Sequence, residues 1–212
     1  EVRLDEVLAN ARGGQQPGLI SVDRTIKGKN ENYQTPEHTI PEKQLNHPWE
    51  TCMPLSGAWG WVPNATFKTS NHVVNLLSEI VAKGGCFVLG VGPTAEGLIQ
   101  PEVVERLQGV GKWLRANGKA IYYTRTTPHY NDGRTWFTAD KDGKTLYAIY
   151  TLPDNEKLPA TIEWTGNIPT GTMKLLKGNR IVKYTCNGDK VTVTLPKGLA
   201  NESLAFSFKV KK

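Results

Sequence analysis

A chain of 212 residues with 38% hydrophobic content and mean hydropathy −0.42 has the make-up of a soluble globular protein, large enough for one sizeable core or two smaller ones. No apolar run nears the roughly 20 residues that cross a bilayer, so no membrane span is expected. The formal charge is +6, and all of the excess lies late: residues 1–120 hold 12 Lys+Arg against 12 Asp+Glu, residues 121–212 hold 14 against 8. Those late cations are scattered singly, the pattern of a solvated β surface, and a nucleic-acid partner is not expected.

The chain opens Glu1-Val2-Arg3-Leu4-Asp5, with neither Met nor an apolar leader, which reads as a processed chain or one cut from something longer. Val2, Leu4, Val7, Leu8 and Ala11 recur near a helical period, and Gly13-Gly14 stops that helix. After Pro17, Gly18 to Val22 reads as a short buried strand, and polar residues 25–47 as a long loop of the kind that carries function. Trp49 to Met53 gives a second strand. Asn71 to Lys83 is an amphipathic helix with Val73, Val74, Leu77, Ile80 and Val81 on one face, and residues 86–91 form a third buried strand. Pro101 opens a last helix striped by Val103, Leu107, Val110 and Leu114.

This alternation fits parallel βα units, with polar residues gathered just past the strand ends. Only three strands stand out where a closed barrel needs eight, so residues 1–120 resemble the C-terminal portion of a (β/α)8 TIM-type barrel. From Ile121 the texture changes. Short alternating runs recur (Thr135–Ala139, Thr145–Tyr150, Ala160–Trp164, Thr172–Leu176, Val182–Cys186, Lys190–Leu195, Leu204–Val210), some separated by turns such as Asn131-Asp132-Gly133. Residues 121–212 are therefore expected to form an antiparallel β-sandwich with one buried face. The fold class is α/β plus all-β.

Cys52, Cys86 and Cys186 are too few and too dispersed for a disulfide framework or a zinc site. Cys52 and Cys86 sit in apolar runs and read as buried thiols. No metal or cofactor is expected.

The motifs then point to a family. An Asp23-Arg24-ended strand, Tyr33-Gln34-Thr35-Pro36-Glu37, Trp49-Glu50-Thr51-Cys52-Met53, Trp59-Gly60-Trp61 and Gly84-Gly85-Cys86-Phe87 leading to Val91-Gly92-Pro93-Thr94 occur in that order. The succession resembles the C-terminal half of the α-L-fucosidases of glycoside hydrolase family 29, over roughly residues 15–125. The resemblance implies a retaining mechanism: one carboxylate attacks the anomeric carbon, and a second serves as acid and then as base. In the family the nucleophile is an Asp in a Trp-X-Asp context. No Trp-X-Asp occurs here, so that strand and the family's fucose-binding histidines would precede residue 1.

Glu37 matches the loop carrying the family's general acid/base, a role that burial against aromatics and a nearby carboxylate would suit. Glu50 is the rival acid/base or holds its neighbours by hydrogen bonds, and Glu31 ranks third. Arg24 matches a strand-end arginine whose fork suits sugar hydroxyls, with Asp23 as its structural partner. Trp59 matches the aromatic placed against the fucose, whose methyl side suits a ring face. Trp49, Trp61 and Trp113 read as packing residues; His38 and His47 fall in the loop and could reach ligand, though lone histidines are more often structural groups. Cys86 and Gly90 stand where family members usually carry Asn, which removes two hydrogen-bonding side chains beneath the site.

The resemblance therefore implies an enzyme releasing terminal L-fucose from a fucosylated glycan, here as a portion carrying the acid/base without the nucleophile. Its partner would be the N-terminal half of the barrel, on another polypeptide or a second protomer covering the open strand edge. A non-catalytic carbohydrate-binding or scaffold protein is the alternative, to be favoured by exposed aromatics on one sandwich face, with Tyr130, Trp136 and Trp164 as candidates. No localisation signal is visible; the family's usual export implies periplasm, cell exterior or lysosome.

Overall fold

The computed structural model describes residues 3–23 and 30–210. Helix α1 (Leu4–Gly13) buries only Leu8, and it is tied down from its end: Arg12 donates to Leu19 O at 3.1 Å and to Asn32 Oδ1 at 2.8 Å. Strands β1 (Val22–Asp23) and β2 (Tyr33–Gln34) pair in parallel, Val22 opposite Tyr33. Strand β2 lies inside the stretch expected to be loop; two residues are too few to leave a periodic signal. Parallel bridges from Gln34 to Trp49 and from Glu37 to Cys52 carry the pairing on to β3 (Glu50–Pro54), which pairs with β4 (Cys86–Gly90) from Glu50–Cys86 to Pro54–Gly90. Four parallel segments thus stand side by side in chain order.

Helix α2 (Ser70–Ala82) makes the crossover from β3 to β4. Thr69 caps its start by accepting from the His72 N–H at 3.0 Å, and Gly84 takes φ +84° just past its end, a backbone state that costs glycine no Cβ clash. Its stripe is buried as its spacing predicts: Val73, Val74 and Ile80 are enclosed, each contributing about 1.5–3 kcal/mol. Helix α3 (Pro101–Asn117) buries Val103, Val110 and Trp113 but leaves Leu107 at the margin, 39% exposed.

The helices cover one face of the parallel strands only. Thr51 and Met53 of β3 are buried, and Phe87 and Leu89 of β4 pack toward the helices. The alternate residues face the other way: Cys86 and Val88 are exposed and Glu50 and Cys52 half-buried. Cys52 and Cys86 are therefore not the buried thiols their apolar neighbours imply, because no described element lies across that face.

Eight antiparallel strands follow, β5 (Asn131–Asp132), β6 (Thr135–Ala139), β7 (Thr145–Tyr150), β8 (Thr161–Thr165), β9 (Pro169–Leu175), β10 (Arg180–Asn187), β11 (Lys190–Thr194) and β12 (Leu204–Val210), in the spatial order β5-β6-β7-β12-β9-β10-β11-β8. Strand β10 turns the corner, pairing with β9 through Arg180–Val182 and with β11 through Lys183–Asn187. Alternate residues of both layers meet inside: Phe137, Met173, Val191, Val193, Phe206 and Phe208 are buried around Trp164, which stacks on Phe208 at 5.8 Å.

The expectation of a single buried sheet face fails at the centre. Ile149 of β7 and Ala205 of β12 point away from the sandwich core and are fully enclosed against Val73, Val74, Val110 and Trp113. Polar bonds lock this second interface. Asn71 and Asn75 of α2 donate to Leu152 O at 2.5 and 2.9 Å, the Ser203 hydroxyl meets Asn75 Oδ1 at 2.5 Å and accepts from the Leu152 N–H at 3.0 Å, and Trp113 Nε1 donates to Ser203 O at 2.7 Å. Ser203 is fully buried, so each of these bonds replaces one to water and leaves no orphan behind.

Tyr123, in the link between the two regions, holds φ +60° while 82% exposed, with Lys141 over its ring at 5.4 Å. A bulky residue in the left-handed region costs about 1–2 kcal/mol that glycine does not. The exposed ring returns little through packing. Tyr123→Gly should raise the thermal midpoint by about 2–4 °C; a fall of that size would show that the Lys141 contact outweighs the strain.

Candidate active site

Two of the expected site residues, Glu37 and Trp59, come together through His38 beside glycine-dependent contacts. Trp49 is buried (3% exposed), with its Nε1 donating to Lys83 O at 3.2 Å and its ring against Gly85, where a Cβ would lie 2.4 Å from Cζ2. At the C-terminal end of β4 the same device recurs. A Cβ on Gly90 would lie 2.7 Å from Trp59 Cζ3, and one on Gly92 2.5 Å from the Trp61 nitrogen. The tryptophan loop therefore closes onto β4 only because these positions carry no side chain. Trp59 is 42% exposed, its ring seated on Gly90. Trp61 is also exposed, not the packing residue expected of it, because its backbone rather than its ring makes the close approach to Gly92.

Glu37 bridges in parallel to Cys52: the His38 N–H donates to Cys52 O at 3.0 Å and the Cys52 N–H to Pro36 O at 3.3 Å. Its side chain is 38% exposed, with Oε1 3.9 Å from His38 Nε2. His38 takes φ +58°, and its ring meets Trp59 edge-on at 5.2 Å. Glutamate, imidazole and indole thus form a contiguous row near the strand ends, and of the two loop histidines within possible reach of ligand it is His38 that joins it.

Glu50 is the first residue of β3, opposite Cys86. It sits four residues below the Pro54–Gly90 level where Trp59 lies, about 13 Å along a strand. Glu37, level with Cys52, is about 7 Å below. Glu31 is not part of the row: its Oε2 is buried with no partner among the described residues. His47 contacts Asn46 Oδ1 through Nδ1 at 3.0 Å. Arg24 lies outside the described residues, as does the Asp23 side chain. Among the described residues, no group of three or more His, Cys, Asp or Glu could hold a metal ion, and no helix is long and apolar enough to cross a membrane.

Four of the sandwich cations pair with carboxylates: Arg134 with Glu156, Lys144 with Asp142, Lys177 with Glu202 and Lys190 with Glu163. Lys144 pushes the Asp142 carboxyl down to about 2, Arg134 lowers that of Glu156, and Lys190 and then Thr192 lower that of Glu163. The sandwich aromatics do not form an open platform, since Trp164 is in the core and Trp136 packs toward the helices.

This architecture is that of solved fucosidases. It superimposes on alpha-L-fucosidase isoenzyme 1 from Paenibacillus thiaminolyticus with a TM-score of 0.83 over 99% of this chain and 54% of that one, at 24% identity. Against Thermotoga maritima alpha-fucosidase in complex with a mechanism-based inhibitor, the TM-score is 0.76 over 98% and 49%, also at 24% identity. In both, the antiparallel sheet fits the β-sandwich domain. In sequence, tissue alpha-L-fucosidase of Homo sapiens is 30% identical over 91% of this chain and 41% of its own length, and the alpha-L-fucosidase of Branchiostoma floridae 34% identical over 74% and 36%. A family model described as alpha-L-fucosidase matches residues 1–119. The chain belongs to the alpha-L-fucosidase family, and it spans about two-fifths or less of the curated relatives just named.

The two glycine contacts separate by experiment. Gly85→Ala forces a methyl into a buried, hydrogen-bonded ring and should destabilise by about 1–3 kcal/mol. Gly90→Ala meets a half-exposed ring free to swing outward. It should cost under about 1 kcal/mol while moving the Trp59 indole N–H resonance. Equal losses in urea unfolding would mean that Trp59 is as fixed as Trp49.

Proposed function

We propose that this chain supplies the acid/base side of an α-L-fucosidase: residues 1–120 as the closing part of a (β/α)8 barrel, and residues 121–212 as the sandwich that supports it. Glu37 is the proton donor to the departing glycosidic oxygen and then the base that activates water. The observation that carries this reading is the row Glu37–His38–Trp59 at the C-terminal ends of the parallel strands, where enzymes of this architecture do their chemistry. The height of Glu37 favours it over Glu50, which sits a further two residues toward the strand starts. Trp59 offers a ring face to the deoxy-sugar's methyl side, and Arg24 is assigned to the sugar hydroxyls through the family motif.

A retaining hydrolysis needs a second carboxylate about 5 Å from the first, on the opposite side of the scissile bond. We assign that nucleophile to the polypeptide that covers the open face of β3 and β4. The exposed Cys86 and Val88 support such a cover, and so does the share of the relatives' length that this chain spans. That polypeptide is the remaining, N-terminal half of the barrel, and the substrate is a terminal α-L-fucoside of a glycan. Trp164 at 2% exposure weighs against a purely glycan-binding sandwich of the open-platform kind.

In the assembled enzyme, Glu37→Gln should slow unactivated fucosides by about 100-fold or more and aryl fucosides with good leaving groups far less. Equal loss on both would transfer the acid role to Glu50. The 212-residue chain by itself should release no p-nitrophenol from an aryl α-L-fucoside; steady turnover would refute the placement of the nucleophile elsewhere.

A further inference from the structure

A hollow of about 370 Å³ opens at the other end of β3 and β4, where three segments converge: the β2–β3 connection through Glu42, the end of α2 through Lys83, and the entry to the sandwich through His129, Tyr130, Asn131 and Trp136. It is remote from the Glu37 row, because Lys83 and Trp49 mark the starts of these strands and Trp59 their ends. Its size falls within the roughly 300–1,000 Å³ of small-molecule sites.

The walls are fixed before any ligand arrives. Gln44 Nε2 donates to Ala82 O at 2.9 Å and Thr127 O at 3.1 Å, pinning the Glu42 loop to both neighbours. Lys83 Nζ is held by Pro41 O at 2.8 Å and Glu79 Oε1 at 2.6 Å while lying 5.4 Å from the Trp136 ring centre. The His129 carbonyl accepts from Thr127 Oγ1 and Asn167 Nδ2, and Asn131 Nδ2 donates to Gly133 O and Thr135 O. In contrast, the Glu42 carboxylate, the Tyr130 hydroxyl and the His129 ring nitrogens make no hydrogen bond to any described residue. A rigid frame with uncommitted donors and acceptors beside the half-buried Tyr130 ring, with the edge of Trp136 at its margin, is the make-up of a binding site rather than of a packing defect.

The charges choose the ligand. The Lys83 ammonium is already neutralised by Glu79, so the uncommitted charge is the Glu42 carboxylate, which repels anions and accepts from paired hydroxyls. Aromatic rings favour the apolar C–H face of a ring. An uncharged pyranose carries both features. We infer that this hollow is a second carbohydrate site, taking a neutral sugar unit of a glycan and independent of the assignment of Glu37. By holding one branch of a glycan, it would raise the effective concentration of another at the strand ends.

Titration of the ¹⁵N-labelled full chain with methyl β-D-galactopyranoside or methyl α-L-fucopyranoside tests this through the Trp136 indole N–H resonance. A saturable shift is expected, with a midpoint on the order of 1 mM. Glu42→Ala and Tyr130→Ala should each weaken it about tenfold, and Trp59→Ala should leave it unchanged. Glu42 is exposed and Tyr130 half-buried, so folding survives both changes. No shift with either sugar, a shift that persists in the Glu42→Ala/Tyr130→Ala double variant, one lost in Trp59→Ala, or equal binding of N-acetylneuraminic acid would each overturn the proposal. Fucoside hydrolysis is a separate readout, so failure at one site does not register as failure at the other.

Discussion

The structure depends on the back face of the antiparallel sheet. Strands β7 and β12 serve two cores at once, turning Phe206 and Phe208 into the sandwich while Ala205 and Ile149 press on helices α2 and α3. Those helices are the same ones that back β3 and β4, so the sandwich fixes the pose of the parallel strands rather than hanging beside them. A purely apolar seam would allow sliding. The Asn71, Asn75 and Ser203 bonds give it one register, because any slip leaves buried amides and a buried hydroxyl unpaired.

The sandwich was the most legible part of the sequence. Runs expected at Thr135–Ala139, Thr145–Tyr150 and Leu204–Val210 are strands with those bounds, because alternation over five or more residues is a strong local signal. What alternation could not convey is that Ala205 and Ile149, the out-facing residues, would also be buried. That follows from which helices land on them, a fact of tertiary arrangement. The parallel strands were harder to read. Two-residue β1 and β2 carry no period, and the apolar run Cys86-Phe87-Val88-Leu89 looks buried on both faces when only Phe87 and Leu89 meet the helices.

The candidate site was legible as residue types and not as geometry. Family motifs drew attention to Glu37, Trp59 and Gly90, but Gly90 read as the loss of a hydrogen-bonding side chain. In the structure it is occupied space: the Trp59 indole lies where a Cβ would go. His38 looked structural, and its edge contact with Trp59 follows from a left-handed backbone that no spacing rule anticipates for histidine. The hollow lined by Glu42 and Trp136 draws on residues nearly a hundred positions apart, beyond the reach of any local pattern.

Among the described residues, helices cover one face of β3 and β4 and no element covers the other, and the proposed function rests on what covers that second face. Cysteine reactivity reads this directly. Cys86 lies on the uncovered face and Cys186 on the outer sandwich; both are exposed in this chain, so the second is an internal standard for the first. In an enzyme carrying the complete barrel and hydrolysing fucosides, maleimide labelling followed by peptide mass spectrometry should find Cys86 protected and Cys186 modified. Equal labelling of the two thiols in the fully active enzyme would contradict the account, because the face assigned to the barrel interior would then be an outer surface.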